Sequence, residues 1–197
     1  RMNNPEAPAG AAATGRPDRV DRLVVIDMQE IFSDRSSPWA TPRFDEALTV
    51  VRKLTDHFGE HTIYTRFVAP EKPEGAWIGY YDEWPFALQS PDAHAYQIVD
   101  GLEVAGRPCV DATTFGKWTD EMRELVAPGD HMVLCGVSTD CCVLATAVAA
   151  ADAGVWVTVV ADGCAGVDDT SQAQALAVMA LYGPLVTVVS SADILPG

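Results

Sequence analysis

A cysteine and an aspartate are the residues in this chain best placed to break a bond, because each sits where an apolar run gives way to a turn. Val24-Val25-Ile26 runs into Asp27-Met28-Gln29, so a carboxylate leaves an apolar strand at a point of partial desolvation. Further on, Gly136-Val137-Ser138-Thr139-Asp140-Cys141-Cys142-Val143 reads as a glycine-opened turn that puts Cys142 at the start of a helix. A thiol there faces unpaired N–H groups and the positive end of the helix dipole, which favours thiolate over thiol. Lys117, in Thr113-Thr114-Phe115-Gly116-Lys117-Trp118, would favour it further. The same N–H groups can hold an oxyanion that forms when sulfur attacks a carbonyl. A desolvated carboxylate such as Asp27 can take the thiol proton and return it to a leaving amine. These parts suit acyl transfer.

Each assignment has a structural competitor. Asp27 can cap the loop that follows it, and Cys142 can be a small buried hydrophobe, as most free cysteines are. Gln29 can orient polar groups of a substrate or bond a neighbouring loop. Arg66, at the end of Thr65-Arg66-Phe67, is placed to grip an anionic substrate or to pair with a surface acid. Cys135 and Cys164 read as core, Cys109 as a strand residue, and Cys141 as packed away from the site or as a redox partner of Cys142.

The elements that must position these residues follow from an alternation of short β-branched runs with longer Ala-rich or mixed stretches, the pattern of repeated strand, helix, strand units. Strands are expected over residues 23–26, 62–67, 108–110, 131–135, 155–160 and 185–189. Helices are expected over 44–57, 119–126, 142–153 and 171–182. The strand runs are continuously apolar, as parallel strands buried on both faces must be. In such sheets ligands bind at the carboxyl ends of the strands, where Asp27 and Cys142 fall. Residues 70–106 break the rhythm with four prolines at 70, 73, 85 and 91 and a cluster of Trp77, Tyr80, Tyr81, Trp84 and Phe86. A long irregular insertion of this kind is usually a functional loop or an interface. Trp77 is taken from it as a substrate contact, against the alternative that the rings form a satellite core or a subunit contact.

Composition bounds the rest. The chain has 197 residues, 48% of them hydrophobic and 21% charged, as in a globular domain. Its net charge of −15 would repel a phosphate backbone or an anionic membrane, so neither nucleic acid nor membrane is expected as a partner. No apolar run is long enough to span a bilayer and no secretion signal is visible, so a cytoplasmic location is expected. Five cysteines, an odd number, fit reduced thiols better than a disulfide framework. Residues 1–19 lack a hydrophobic period and are expected to be a mobile tail, with a single domain over 20–197. There is no phosphate-binding glycine loop, and Gln29 stands where a phosphatase of the two-aspartate kind would need its second carboxylate.

The run ending in Asp27-Met28-Gln29, the turn from Gly136 to Val143 with Leu144-Ala145-Thr146-Ala147 after it, and Val159-Val160-Ala161-Asp162-Gly163-Cys164-Ala165 resemble the isochorismatase-like cysteine hydrolases. That family includes nicotinamidases, carbamoylsarcosine and ureide amidohydrolases, and isochorismatase itself. The resemblance covers about residues 22 to 190. It implies an α/β fold, a three-layer α/β/α sandwich with a six-stranded, mostly parallel sheet, and a homodimer or homotetramer. It implies an Asp27, Lys117, Cys142 triad, a cis peptide between Val137 and Ser138, and an oxyanion hole made by the amides of Ser138 and Cys142. Cys142, six residues after the glycine of the turn, is the implied nucleophile in preference to Cys141. The lysine departs from the pattern. Ala112 occupies the place at the end of the third strand where the family lysine is expected, so either Lys117 reaches in from the loop or the ammonium is missing.

The histidines at 57, 61, 94 and 131 are scattered and form no Asp-x-His motif of the metal-dependent nicotinamidases, so no metal and no cofactor are expected. The implied activity is hydrolysis of a C–N bond in a small-molecule amide, ureide or lactam through a thioester. The alternatives are a catalytically weak ligand-binding relative with an incomplete triad, and a thiol redox protein using Cys141 and Cys142.

Overall fold

Alternation along the first strand sets the layering. In β1 (Asp21–Ile26) Leu23 and Val25 project into one hydrophobic core and Val24 and Ile26 into another, on opposite faces of the sheet. The computed structural model describes residues 21–196, so the tail expected over residues 1–19 lies outside them. Five further strands pair in parallel with β1 or with one another: β2 (Thr62–Phe67), β3 (Cys109–Ala112), β4 (His131–Val137), β5 (Trp156–Ala165) and β6 (Val186–Val189). The order across the sheet is β3-β2-β1-β4-β5-β6, all parallel.

One face is covered by α2 (Phe44–Phe58), whose Phe44, Ala47, Val51 and Leu54 recur at helical spacing and are buried. The other face receives α4 (Asp120–Leu125), α5 (Leu144–Asp152) and α6 (Asp169–Ala180), which bury Met122, Ala147, Ala150 and Met179 against Val24, Leu134 and Val159. This is the three-layer α/β/α sandwich that the sequence implies. Thr119 starts α4 and Asp168 starts α6 by accepting hydrogen bonds from the N–H groups of Met122 and Ser171.

Strand order reverses between β1 and β4, and there the two backbones come unusually close. Gly136 has φ +114°, and a Cβ built on it would lie 2.1 Å from the Ile26 carbonyl oxygen. Only glycine fits. The ends of β1 and β4 are thereby held side by side at the switch point of the sheet, where a crevice opens.

Several elements differ from the sequence expectation. β4 runs on to Val137 and β5 to Ala165, because a register shift between Leu134 and Gly136 lets the pair continue beyond the expected ends. β3 spans Cys109–Ala112, later than expected. A four-residue helix α1 (Glu30–Ser33) follows β1, and α3 (Ala76–Glu83) lies inside the stretch that reads as irregular. Trp77, Tyr80, Tyr81 and Trp84 are spaced at i, i+3, i+4 and i+7, a helical stripe that the flanking prolines disguise. Helix α5 begins at Leu144, not Cys142. Residues Thr139–Val143 form a wide π turn ahead of it.

Candidate active site

The carboxylate that ends β1 is wholly buried and polar on every side that matters. Asp27 adopts φ 49°, rare for a non-glycine residue, and turns its side chain back toward β2. The Thr65 hydroxyl accepts a hydrogen bond from the Asp27 N–H at 3.2 Å and donates one to Asp27 Oδ1 at 2.6 Å. Oδ2 faces Lys117 Nζ at 3.0 Å, and both side chains are 0% exposed. Apart from that ion pair, Oδ2 accepts no hydrogen bond of good geometry among the described residues.

Lys117 belongs to the loop between β3 and α4 and is brought in by contacts with two other elements. Its N–H donates to the Thr146 hydroxyl at 2.9 Å, and that hydroxyl donates to the Cys142 carbonyl at 2.7 Å. Its ammonium donates to the Thr114 carbonyl at 2.6 Å and lies 5.1 Å from the centre of the Phe67 ring. The loop therefore supplies the ammonium that Ala112, at the end of β3, does not.

Cys142 lies in the π turn, 3% exposed, near enough to Asp27 and Lys117 for both charges to act on its thiol. Burial pushes its thiol well above the usual range, the Asp27 charge pushes the same way, and the Lys117 ammonium opposes them. The expected low-pKa thiolate is thus reversed in the resting site. The helix N-terminus on which that expectation rested starts two residues later, and desolvation outweighs the ammonium.

The turn that carries Cys142 is held from one side by Asp140. Its Oδ1 accepts hydrogen bonds from the Ser138 hydroxyl at 2.7 Å and from the Val167 N–H at 3.0 Å, joining the turn to the loop after β5. The Val137–Ser138 peptide is cis. Within the turn, the N–H groups of Cys141 and Val143 bond the Ser138 carbonyl. The N–H groups of Ser138 and Cys142 take part in neither bond.

A cavity of about 340 Å³ opens over Cys142. Ser138, Cys141 and Cys142 form one wall. Phe32, Trp39, Phe67, Tyr80, Trp84 and Phe115 supply six rings, and Pro38, Ala40, Thr41 and Val167 complete the lining. Asp27 and Lys117 stand outside the lining, on the buried side of the cysteine.

The remaining expected contacts go elsewhere. Gln29 is fully buried and spends its amide on backbone, donating to the carbonyls of Phe67 and Tyr96 and accepting from the Phe67 N–H. It ties the end of β2 to the segment before β3 and does not face the cavity. Arg66 forms a two-pronged pair with Asp111 at 2.8 and 2.6 Å and lies away from the cavity, so the idea that it grips a substrate is corrected: the neighbouring strand supplies its carboxylate. Trp77 packs on Tyr80 and Phe115, behind the rings that line the cavity. Thr65, Thr146 and Asp140 escape the sequence reading because their roles depend on contacts across strands and loops. For the ring-lined wall, the helical spacing of Tyr80 and Trp84 was the available signal.

The family model of the isochorismatase domain matches residues 22–193. Among solved structures, an isochorismatase family protein from Desulfovibrio vulgaris is 20% identical, with TM-score 0.76 over 90% of this chain and 97% of its own. A cysteine hydrolase from Pseudomonas syringae is 15% identical, with TM-score 0.74 over 88% and 90%. A pyrazinamidase of Pyrococcus horikoshii in complex with zinc is 20% identical, with TM-score 0.70 over 86% and 98%. Among curated proteins there is no match.

Proposed function

This chain belongs to the isochorismatase family of hydrolases, and we propose that within it the protein cleaves the C–N bond of a small amide through a thioester on Cys142. The observation that carries this reading is the buried Lys117–Asp27 pair at 3.0 Å, whose two charges both act on the Cys142 thiol.

The resting thiol is protonated, so attack and proton transfer go together. As Cys142 Sγ bonds to the amide carbonyl carbon, its proton passes to Asp27, and the carbonyl π electrons move to oxygen. The Ser138 and Cys142 N–H groups, which do not take part in the bonds of Cys141 and Val143 to the Ser138 carbonyl, are the donors assigned to that oxyanion. The Lys117 ammonium, paired with Asp27, offsets charge as it builds on sulfur. When the C–N bond breaks, the nitrogen takes the proton back from Asp27 and leaves as ammonia or an amine. Water then attacks the thioester, gives a proton to Asp27, and the acid product departs as the thiol is restored.

Intact-mass measurement during turnover of a panel of simple amides tests this. Expected is an acyl mass on wild-type protein that maps to Cys142 and is absent from Cys142→Ala. Hydrolysis retained in Cys142→Ala would overturn the reading.

A further inference from the structure

We infer that the cavity over Cys142 selects an uncharged amide whose acyl part is an apolar ring system, and rejects amides that carry a carboxylate. The inference rests on the reading of Cys142 as the nucleophile and adds the class of substrate. Its ground is the lining. Six aromatic rings face the space, and among the described residues none of the lining side chains is an Arg, Lys, His, Asp or Glu. The polar handles are hydroxyls, thiols and the indole N–H groups of Trp39 and Trp84. The Tyr80 phenol stays neutral, since burial raises it to about 12, and the Ser138 hydroxyl is committed to Asp140.

Two cations of the neighbouring elements are already paired. Lys117 is paired with Asp27 behind the nucleophile, and Arg66 is paired with Asp111 off the cavity. A carboxylate entering here would shed its water and gain no counter-charge. It would also approach against a net charge of −15. A flat apolar ring meets the opposite conditions. Trp39 holds the centre of the wall, with the rings of Phe67, Tyr80 and Trp84 at 5.6 to 6.2 Å from its own, so a substrate ring finds edges and faces on several sides. With the reactive carbonyl at Cys142, the ring lies toward Trp39. A cavity of about 340 Å³ is at the small end for ligand pockets, which suits one or two rings.

A matched pair isolates charge from shape: 4-nitrobenzamide and 4-carbamoylbenzoate have similar outlines, and only the second is an anion. N-carbamoylglycine serves as a ring-free anion. Each is measured twice, by kcat/KM on the wild type and by tryptophan fluorescence quenching on Cys142→Ser. Expected is at least a tenfold preference for 4-nitrobenzamide over 4-carbamoylbenzoate in both measurements, with N-carbamoylglycine weakest. Ala40→Arg, which places a cation on the half-exposed rim of the cavity, should narrow the gap between the matched pair by at least fivefold. Equal or better use of the carboxylates by the wild type would overturn this inference while leaving the hydrolase reading intact. Preferential binding of 4-nitrobenzamide with no hydrolysis of any amide would support the inference and overturn the hydrolase reading. Binding of none of the three would overturn the inference.

Discussion

Lys117 Nζ and Asp27 Oδ2 lie 3.0 Å apart with no solvent on either side chain. Two charges taken out of water gain little net stability even when paired, because desolvation offsets their attraction. Retention of such a pair beside a thiol is therefore better explained by chemistry than by stability. The ammonium pairs with a buried carboxylate, and in the proposed mechanism that carboxylate serves as the base.

Removing one partner should cost far more than removing both. Lys117→Met strands the Asp27 charge and should lower unfolding free energy by about 3–5 kcal/mol. Lys117→Met combined with Asp27→Asn should recover most of that stability. Neither variant should retain more than about a hundredth of wild-type turnover. Urea denaturation with amide-hydrolysis assays checks both parts. A stable, active Lys117→Met would remove the ammonium from the mechanism.

Burial and the Asp27 charge both raise the Cys142 thiol; in the proposed mechanism Asp27 also accepts its proton, and one substitution separates the two effects. Asp27→Asn should let Cys142 ionise at lower pH than in the wild type, read from the pH dependence of alkylation by iodoacetamide. Turnover should nonetheless fall by about 10²–10⁴. If turnover rose along with thiolate content, proton transfer to Asp27 would be excluded.

Stability should decline on the alkaline side. Burial lifts Cys164 to about 12 and lifts Cys135 and Cys142 well above their ordinary range, and all three are buried. Their folded pKa values exceed the unfolded ones, so the contribution is complete below about pH 8.5 and erodes as pH rises, because the unfolded chain loses its protons first. Three such thiols give a slope of up to about 4 kcal/mol per pH unit above that point. Denaturation under reducing conditions between about pH 8 and 10.5 measures it, and Cys135→Ala with Cys164→Ala should remove the share of these two thiols, up to about 2.7 kcal/mol per pH unit, leaving that of Cys142 and of Cys109 and Cys141, both lifted to about 11. A level profile would refute the assignment.

Asp140 acts through its neighbours and is a positioning residue. Asp140→Ala releases both the Ser138 hydroxyl and the Val167 N–H. With the turn loosened, kcat should fall by about 10–10² while KM moves much less, since the six rings that line the cavity keep their places. Asp140→Asn keeps an acceptor oxygen and should restore most of the loss. Failure of Asn to rescue, with stability unchanged, would point to a role for the charge itself.

The strands and the two chemical residues at their ends were legible because each is local. A β-branched run, a glycine and the residue that follows it are neighbours in the chain, and β2 matches its expected span residue for residue. The site's supporting bonds were not legible, since Thr65 to Asp27, Thr146 to Lys117 and Asp140 to Val167 join residues 27 to 38 positions apart. Arg66 misled for the same reason: its partner Asp111 sits on the adjacent strand. The thiol's resting protonation was hidden too, because a local reading of the turn counts dipoles and misses burial.

Bringing in the ammonium from the loop after β3 separates the spatial address of this charge from its sequence address. A column-by-column comparison keyed to Ala112 would sort this protein among pseudoenzymes, although its Nζ reaches the carboxylate. Homologues in which the strand-end column holds no lysine should be surveyed by superposing charges rather than letters before any is dismissed as inert.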